Sequence, residues 1–130
     1  MPPTVSFRQL HVWQEAMLLV EEAYAVSRRF PDDERAGLTA ELRRSAVAIA
    51  SNIGEGARRN RRRAFLHHLD IALGRQGDVD VQLEIASRLG YCPASDYSRL
   101  MARVNRLGRM LNELIESLEP SDRDAMFTSH

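Results

Sequence analysis

The sequence predicts an all-α fold, an antiparallel up-down-up-down four-helix bundle. Three observations predict it. No stretch alternates apolar and polar residues with period two, as a half-buried strand would. Proline and glycine cut the chain into four long segments, at Phe30-Pro31-Asp32-Asp33, between Gly56 and Asn60, and at Gly90-Tyr91-Cys92-Pro93. Each segment repeats apolar residues at steps of three and four, the spacing of helices that cross at roughly 20° in bundles. Short connections make up-down-up-down the simplest order. One domain is expected over residues 1–118, with a polar, flexible tail over 119–130.

The first helix is expected from Phe7 to Arg29 and carries two apolar stripes. Leu10, Trp13, Met17, Val20, Tyr24 and Ser27 are assigned to the bundle core. Val12, Ala16, Leu19, Ala23, Val26 and Phe30 lie about 120° further round the helix. A helix that is apolar on two faces usually buries the second against a partner. Val12, Ala16, Leu19, Ala23 and Val26 are therefore expected at an interface between copies of the chain, a broad single core being the alternative.

The second helix is expected from Asp33 to Ala57. Asp32, Asp33 and Glu34 complement the positive end of its dipole, and its seam is Leu38, Leu42, Ser45, Ile49, Asn52 and Gly56, flanked by Ala46 and Ile53. The third should run from Arg62 to Leu89, stopped by Gly90, with Phe65, Leu69, Ala72, Gln76, Val79, Leu83 and Ala86 inward. The fourth should run from Ser95, as N-cap, to Leu118, with Pro120 just beyond. Its seam is Tyr97, Leu100, Val104, Leu107, Leu111, Leu114 and Leu118.

Composition excludes several classes. The single cysteine, Cys92, allows no internal disulfide framework and no cysteine-based zinc cluster. No apolar run approaches the ~20 residues that cross a membrane, and the N-terminus has no basic-then-apolar secretory pattern, so a cytoplasmic protein is expected. His67 and His68 are adjacent and point about 100° apart, so no metal site is expected. Asp78 and Asp80 lie about 200° apart on a helix and form no dyad. Phosphate-loop, nucleophile-elbow and Cys/His arrangements are lacking. No catalytic residue, no cofactor and no enzymatic activity are expected.

What remains is charge. The formal net charge is zero, yet Arg58, Arg59, Arg61, Arg62 and Arg63 place five arginines in six residues. All 18 basic residues are arginine, the side chain suited to bidentate phosphate contacts. These five are the candidate nucleic-acid contacts, with Arg43 and Arg44 as further candidates; a solvated inter-helix turn is the competing reading. Just before them, Asn52, Glu55 and Gly56 form a polar block on an apolar background, read as a hydrogen-bonded motif that turns the chain toward the third helix.

The stretches Leu10-His11-Val12-Trp13-Gln14-Glu15-Ala16, Gly37-Leu38-Thr39-Ala40-Glu41-Leu42-Arg43-Arg44-Ser45-Ala46, Ser51-Asn52-Ile53-Gly54-Glu55-Gly56 and Leu89-Gly90-Tyr91 occur in a familiar order. Over about residues 7–118 the chain resembles the four-helix bundle family of proteins encoded in 23S ribosomal RNA intervening sequences. That family includes the accessory variability protein of diversity-generating retroelements. The resemblance implies a homopentameric, barrel-like ring without established enzymatic activity. In the retroelement branch it implies RNA or DNA and reverse-transcriptase binding through a basic surface. The chain departs from the family in the third helix. Gly74-Arg75-Gln76-Gly77-Asp78-Val79-Asp80 stands where members commonly show Gly-Ser-Leu-x-Glu-Leu-Glu. Two functions stay open: an oligomeric module that contacts nucleic acid, or a scaffold for an unidentified protein partner. In the second, the arginines pair with Asp78, Asp80 or Glu84 of neighbouring subunits.

Overall fold

The computed structural model describes residues 6–119, so most of the expected tail lies outside the described residues. These residues form four long helices and no strand: α1 (His11–Ser27), α2 (Leu38–Arg58), α3 (Arg62–Arg88) and α4 (Ala94–Leu118). Two 3-10 turns, Phe7–Gln9 and Asp32–Glu34, precede α1 and α2.

The helix ends follow from local chemistry. Residues expected to open the first helix form a separate turn instead, because Ser6 Oγ accepts from Arg8 N at 3.3 Å and Leu10 is extended. Asp32, Asp33 and Glu34 likewise form their own turn, and α2 starts only after Gly37. Glu34 still serves the helix, since its Oε1 accepts from Leu38 N at 3.3 Å. At the end of α3, Gly90 takes φ 77°. There the Tyr91 N–H donates to Ala86 O at 2.9 Å and the Gly90 N–H to Ser87 O at 3.1 Å. That is the Schellman pattern, which requires a residue tolerant of positive φ. Ser95 is not the N-cap of α4. Pro93 holds that position with φ −58° and ψ 150°, and Ser95 falls inside the helix.

Each helix packs against its neighbours in sequence, and α1 also packs against α4, leaving α1 diagonal to α3 and α2 diagonal to α4. Polar pairs mark the seams. Gln82 Nε2 donates to Ser45 Oγ at 3.1 Å between α3 and α2, and to the same pair of helices belongs the contact of Asn52 with His68. Gln76 Nε2 donates to Val104 O at 3.0 Å, and Tyr97 Oη to Glu84 Oε1 at 3.1 Å, between α3 and α4.

Burial follows the expected seams on α2, α3 and α4, where Leu42, Ile49, Leu69, Leu83, Leu100, Leu107 and Leu111 are inaccessible to solvent. On α1 the second stripe is the fully buried one, and the first packs along its edge, which is the broad single core. Val12, Ala16, Leu19, Ala23 and Val26, expected between copies of the chain, are buried in this chain's own core. Leu10, Trp13, Val20 and Tyr24 are only half-buried, Met17 is exposed, and of the first stripe only Ser27 is buried. Two features select this rotation. Ala16 and Ala23 let α1 lie close to its neighbours. Glu15 and Glu22, beside the buried stripe, both reach Arg103 of α4, at 2.7 and 3.1 Å.

Candidate nucleic-acid interface

The arginine run forms the sharp turn from α2 to α3. Asn60 makes the turn with φ 56°, a left-handed conformation that asparagine tolerates better than most residues. Asn52 and Gly56 set how closely the two helices meet before it. Asn52 Nδ2 donates to Ala48 O at 2.8 Å, and its Oδ1 faces His68 Nδ1 at 3.0 Å. A Cβ on Gly56 would stand 2.8 Å from His68 Cβ and 3.4 Å from the Phe65 backbone, so only glycine fits there. The polar block therefore lies at the α2–α3 contact that leads into the arginine turn.

The five arginines are exposed and fall into two electrostatic groups. Arg58 and Arg59 occupy the end of α2, where the helix dipole favours positive charge. Both engage Glu55: Arg59 Nε at 2.7 Å and Arg58 Nη1 at 3.8 Å. The hydrogen bond from Arg59, with its charge, holds the Glu55 carboxyl below the usual carboxylate range. Arg61, Arg62 and Arg63 occupy the N-cap and first turn of α3, where the dipole opposes positive charge and no acidic residue is present. Among the described residues none of these three forms an ion pair. Arg62 Nε donates to the Leu118 carbonyl, bringing the end of α4 to the same end of the bundle. Among the described residues, Glu55 is thus the one carboxylate paired with any of the five guanidinium groups.

A family model for 23S rRNA-intervening sequence proteins matches residues 8–113. The chain belongs to the 23S rRNA-intervening sequence protein family. Its fold is similar to the crystal structure of a protein of unknown function from the S23 ribosomal protein family of Bacteroides thetaiotaomicron. The TM-score is 0.73 at 21% identity, over 80% of this chain and 97% of that one. No curated protein is a significant match.

In this intervening-sequence protein Arg43 and Arg44 do not join the turn patch. They lie fourteen or fifteen residues before Arg58 on one unbroken helix, a rise of about 22 Å. Arg44 pairs with Glu41 at 2.5 Å, and Arg43 turns toward α1.

Sequence reasoning missed two features. Arg8 sits near the patch: Phe7 and Arg58 line one concavity, and the Arg8 guanidinium rests 4.5 Å above the Phe7 ring. An isolated arginine carries no signal of its own. The second is an exposed apolar stripe on α3, Ile71, Val81, Ile85 and Leu89. The four-residue steps from Val81 to Leu89 were its signal. Among the described residues no cluster of three or more potential metal ligands occurs, and no helix is long and apolar enough to cross a membrane.

Proposed function

We propose that this protein is a non-enzymatic, antiparallel bundle that assembles with copies of itself and binds nucleic acid, RNA or DNA, through Arg58, Arg59, Arg61, Arg62 and Arg63, with Arg8 beside them. The observation that carries this reading is the placement, at the start of α3, of three arginines that form no ion pair among the described residues. Like charge crowded against a helix dipole is unfavourable on its own, and a phosphate at that position relieves it while accepting from the free N–H groups. Three to five phosphate contacts correspond to a slope of about −2 to −4 in log affinity against log salt.

Assembly is supported by two different exposed apolar patches. One is Met17 and Val47, with Trp13 and Val20, between α1 and α2; the other is Ile71, Val81, Ile85 and Leu89 on α3. Unlike faces that meet head to tail build a ring when the rotation between copies closes. Five subunits is the number that the family resemblance implies, and a ring would repeat the arginine patch and add avidity.

The test is the triple variant Arg61→Gln, Arg62→Gln, Arg63→Gln, assayed by fluorescence anisotropy on a single-stranded RNA and a DNA oligonucleotide at low and moderate salt. Binding weakened at least tenfold, with unchanged mass by light scattering, is the expected result. Unaltered binding at low salt overturns it. The scaffold reading keeps one specific support: Asp78 lies on the exposed face of α3 and is held only loosely by Arg75, at 3.7 Å. It forecasts a lower oligomer mass for the same variant and no nucleic acid in the purified protein.

A further inference from the structure

At the far end of α2 from the arginine turn lies a second positive concavity that neither reading uses. It measures about 240 Å³ and lies between the end of α1, the Asp32–Glu34 turn and the start of α2. Its walls include Ser27, Arg28, Asp32, Arg35, Thr39 and Arg43.

Arg43 is its fixed element. The residue is half-buried. Its Nε donates to Ser27 Oγ at 2.8 Å, and its guanidinium lies 4.6 Å from the Tyr24 ring centroid. Ser27 is itself buried, and its hydroxyl donates to Tyr24 O at 3.2 Å. The hydroxyl proton is thereby committed, so Ser27 accepts from Arg43 and holds the guanidinium plane in place. The terminal nitrogens Nη1 and Nη2 find no acceptor among the described residues, and Arg43 forms no ion pair there. Arg103, similarly sheltered, is treated differently and takes Glu15 and Glu22. The terminal nitrogens of Arg43 thus stay open to solvent and to an incoming anion.

The surroundings supply more positive charge. Arg28 has no ion pair among the described residues. Arg35 has only Asp32 at 3.8 Å, with both side chains more than four-fifths exposed, a contact of little strength. Of the nearby acids, Glu34 accepts from Tyr91 Oη and Leu38 N, Glu41 pairs with Arg44, and Asp33 lies in the adjoining turn outside the cleft lining. Three guanidinium groups therefore meet Asp32, the one carboxylate in the cleft lining. A pre-oriented fork with two flanking arginines and a threonine matches a compact, multiply charged oxyanion.

We propose that this cleft binds a phosphate group, with Arg43 as the positioned fork and Arg28 and Arg35 closing on it. The site is independent of the arginine turn and stands whether or not the protein binds nucleic acid.

The experiment measures affinity by isothermal titration and thermal shift at constant ionic strength, with inorganic phosphate, a nucleoside 5′-monophosphate and citrate as probes. Saturable binding of either phosphate probe, with citrate much weaker, is expected. A tighter nucleotide assigns the site to phosphate esters, and tighter inorganic phosphate assigns it to the free anion. Arg43→Gln should lose at least tenfold in affinity, and Arg43→Lys, lacking the fork, should recover only part of it. The double variant Arg28→Gln, Arg35→Gln changes exposed residues only and should lose several-fold with folding intact. The triple variant at Arg61, Arg62 and Arg63 should bind phosphate as the parent does. No saturable binding, equal affinity in Arg43→Gln, or equal affinity in the double variant should Arg43→Gln not fold, would overturn the proposal.

Discussion

Leu19 provides the sharpest check on how α1 is seated. Its side chain is 0% exposed, whereas Met17, two residues earlier, is 36% exposed. Leu19→Ala removes buried methyl groups and leaves a cavity, a change that costs about 3–4 kcal/mol when the surroundings relax only partly. That is a large share of the ~5–15 kcal/mol that holds a domain of this size folded. At about 4 °C per kcal/mol, the melting midpoint should fall by roughly 12–16 °C. Met17→Ala should cost about 1 kcal/mol or less within the subunit. Urea titration at several protein concentrations reads the subunit term, and light scattering reads the assembly term. Leu19→Ala should shift the urea midpoint strongly at every concentration. Met17→Ala should act chiefly on mass. The opposite pattern, a nearly silent Leu19→Ala that only lowers the oligomer mass, would refute the seating of α1 and return Leu19 to a subunit interface.

Glycine supplies a matched contrast: a Cβ on Gly74 or Gly77 would meet nothing within 4 Å, so Gly74→Ala and Gly77→Ala should each stabilise by about 1 kcal/mol. Gly56→Ala drives a methyl into His68 Cβ and Phe65 and should destabilise by about 1–3 kcal/mol; equal urea midpoints for these variants would contradict the packing described. Arg103→Met leaves the partly buried Glu15 and Glu22 without their main partner and should cost about 1–3 kcal/mol. The loss is softened by Arg106 at 3.6 Å and Arg99 at 3.9 Å, and an unchanged urea midpoint would show the network to be idle. Burial pushes the Asp96 carboxyl up, but hydrogen bonds from Arg99 and Arg29 outweigh it and hold the group below its usual range, as Arg59 does for Glu55. With folded values depressed, this stabilisation is full above the unfolded value near pH 4 and is lost as pH falls through the folded value. Melting of the Asp96→Asn, Glu55→Gln double variant should therefore depend less steeply on pH below about pH 4 than melting of the parent; parallel curves would count against both contacts.

Much of the fold could be read from spacing alone. The start of α3 at Arg62, the stop at Gly90, the end of α4 at Leu118 and three of the four buried seams were legible. Each rests on local chemistry or on one clear apolar stripe. The seating of α1 was not legible, because both its stripes are apolar and hydrophobicity does not rank them. Ala16 and Ala23, with Glu15 and Glu22 at their edge, held the answer, but it needed Arg103 from more than eighty residues away. The acids at Asp32–Glu34 misled for a related reason, since a 3-10 turn accepts them as readily as a first helical turn. In the candidate interface, the arginine turn was visible because its charges are contiguous. Arg8 and the pairing of Arg43 with Ser27 were invisible, because only packing brings their partners near.

With hydrocarbon on two sides, α1 has two ways of lying down, a third of a turn apart. Rolled into the other setting, it would still meet its neighbours with grease, but Glu15 and Glu22 would swing away and strand Arg103. The two acids act as a detent, a small electrostatic notch that makes one setting click and leaves the other loose. A chain without them, Glu15→Gln with Glu22→Gln, should rattle between both, and doubled amide resonances along α1 would record it. A single sharp set would deny the glutamates that office.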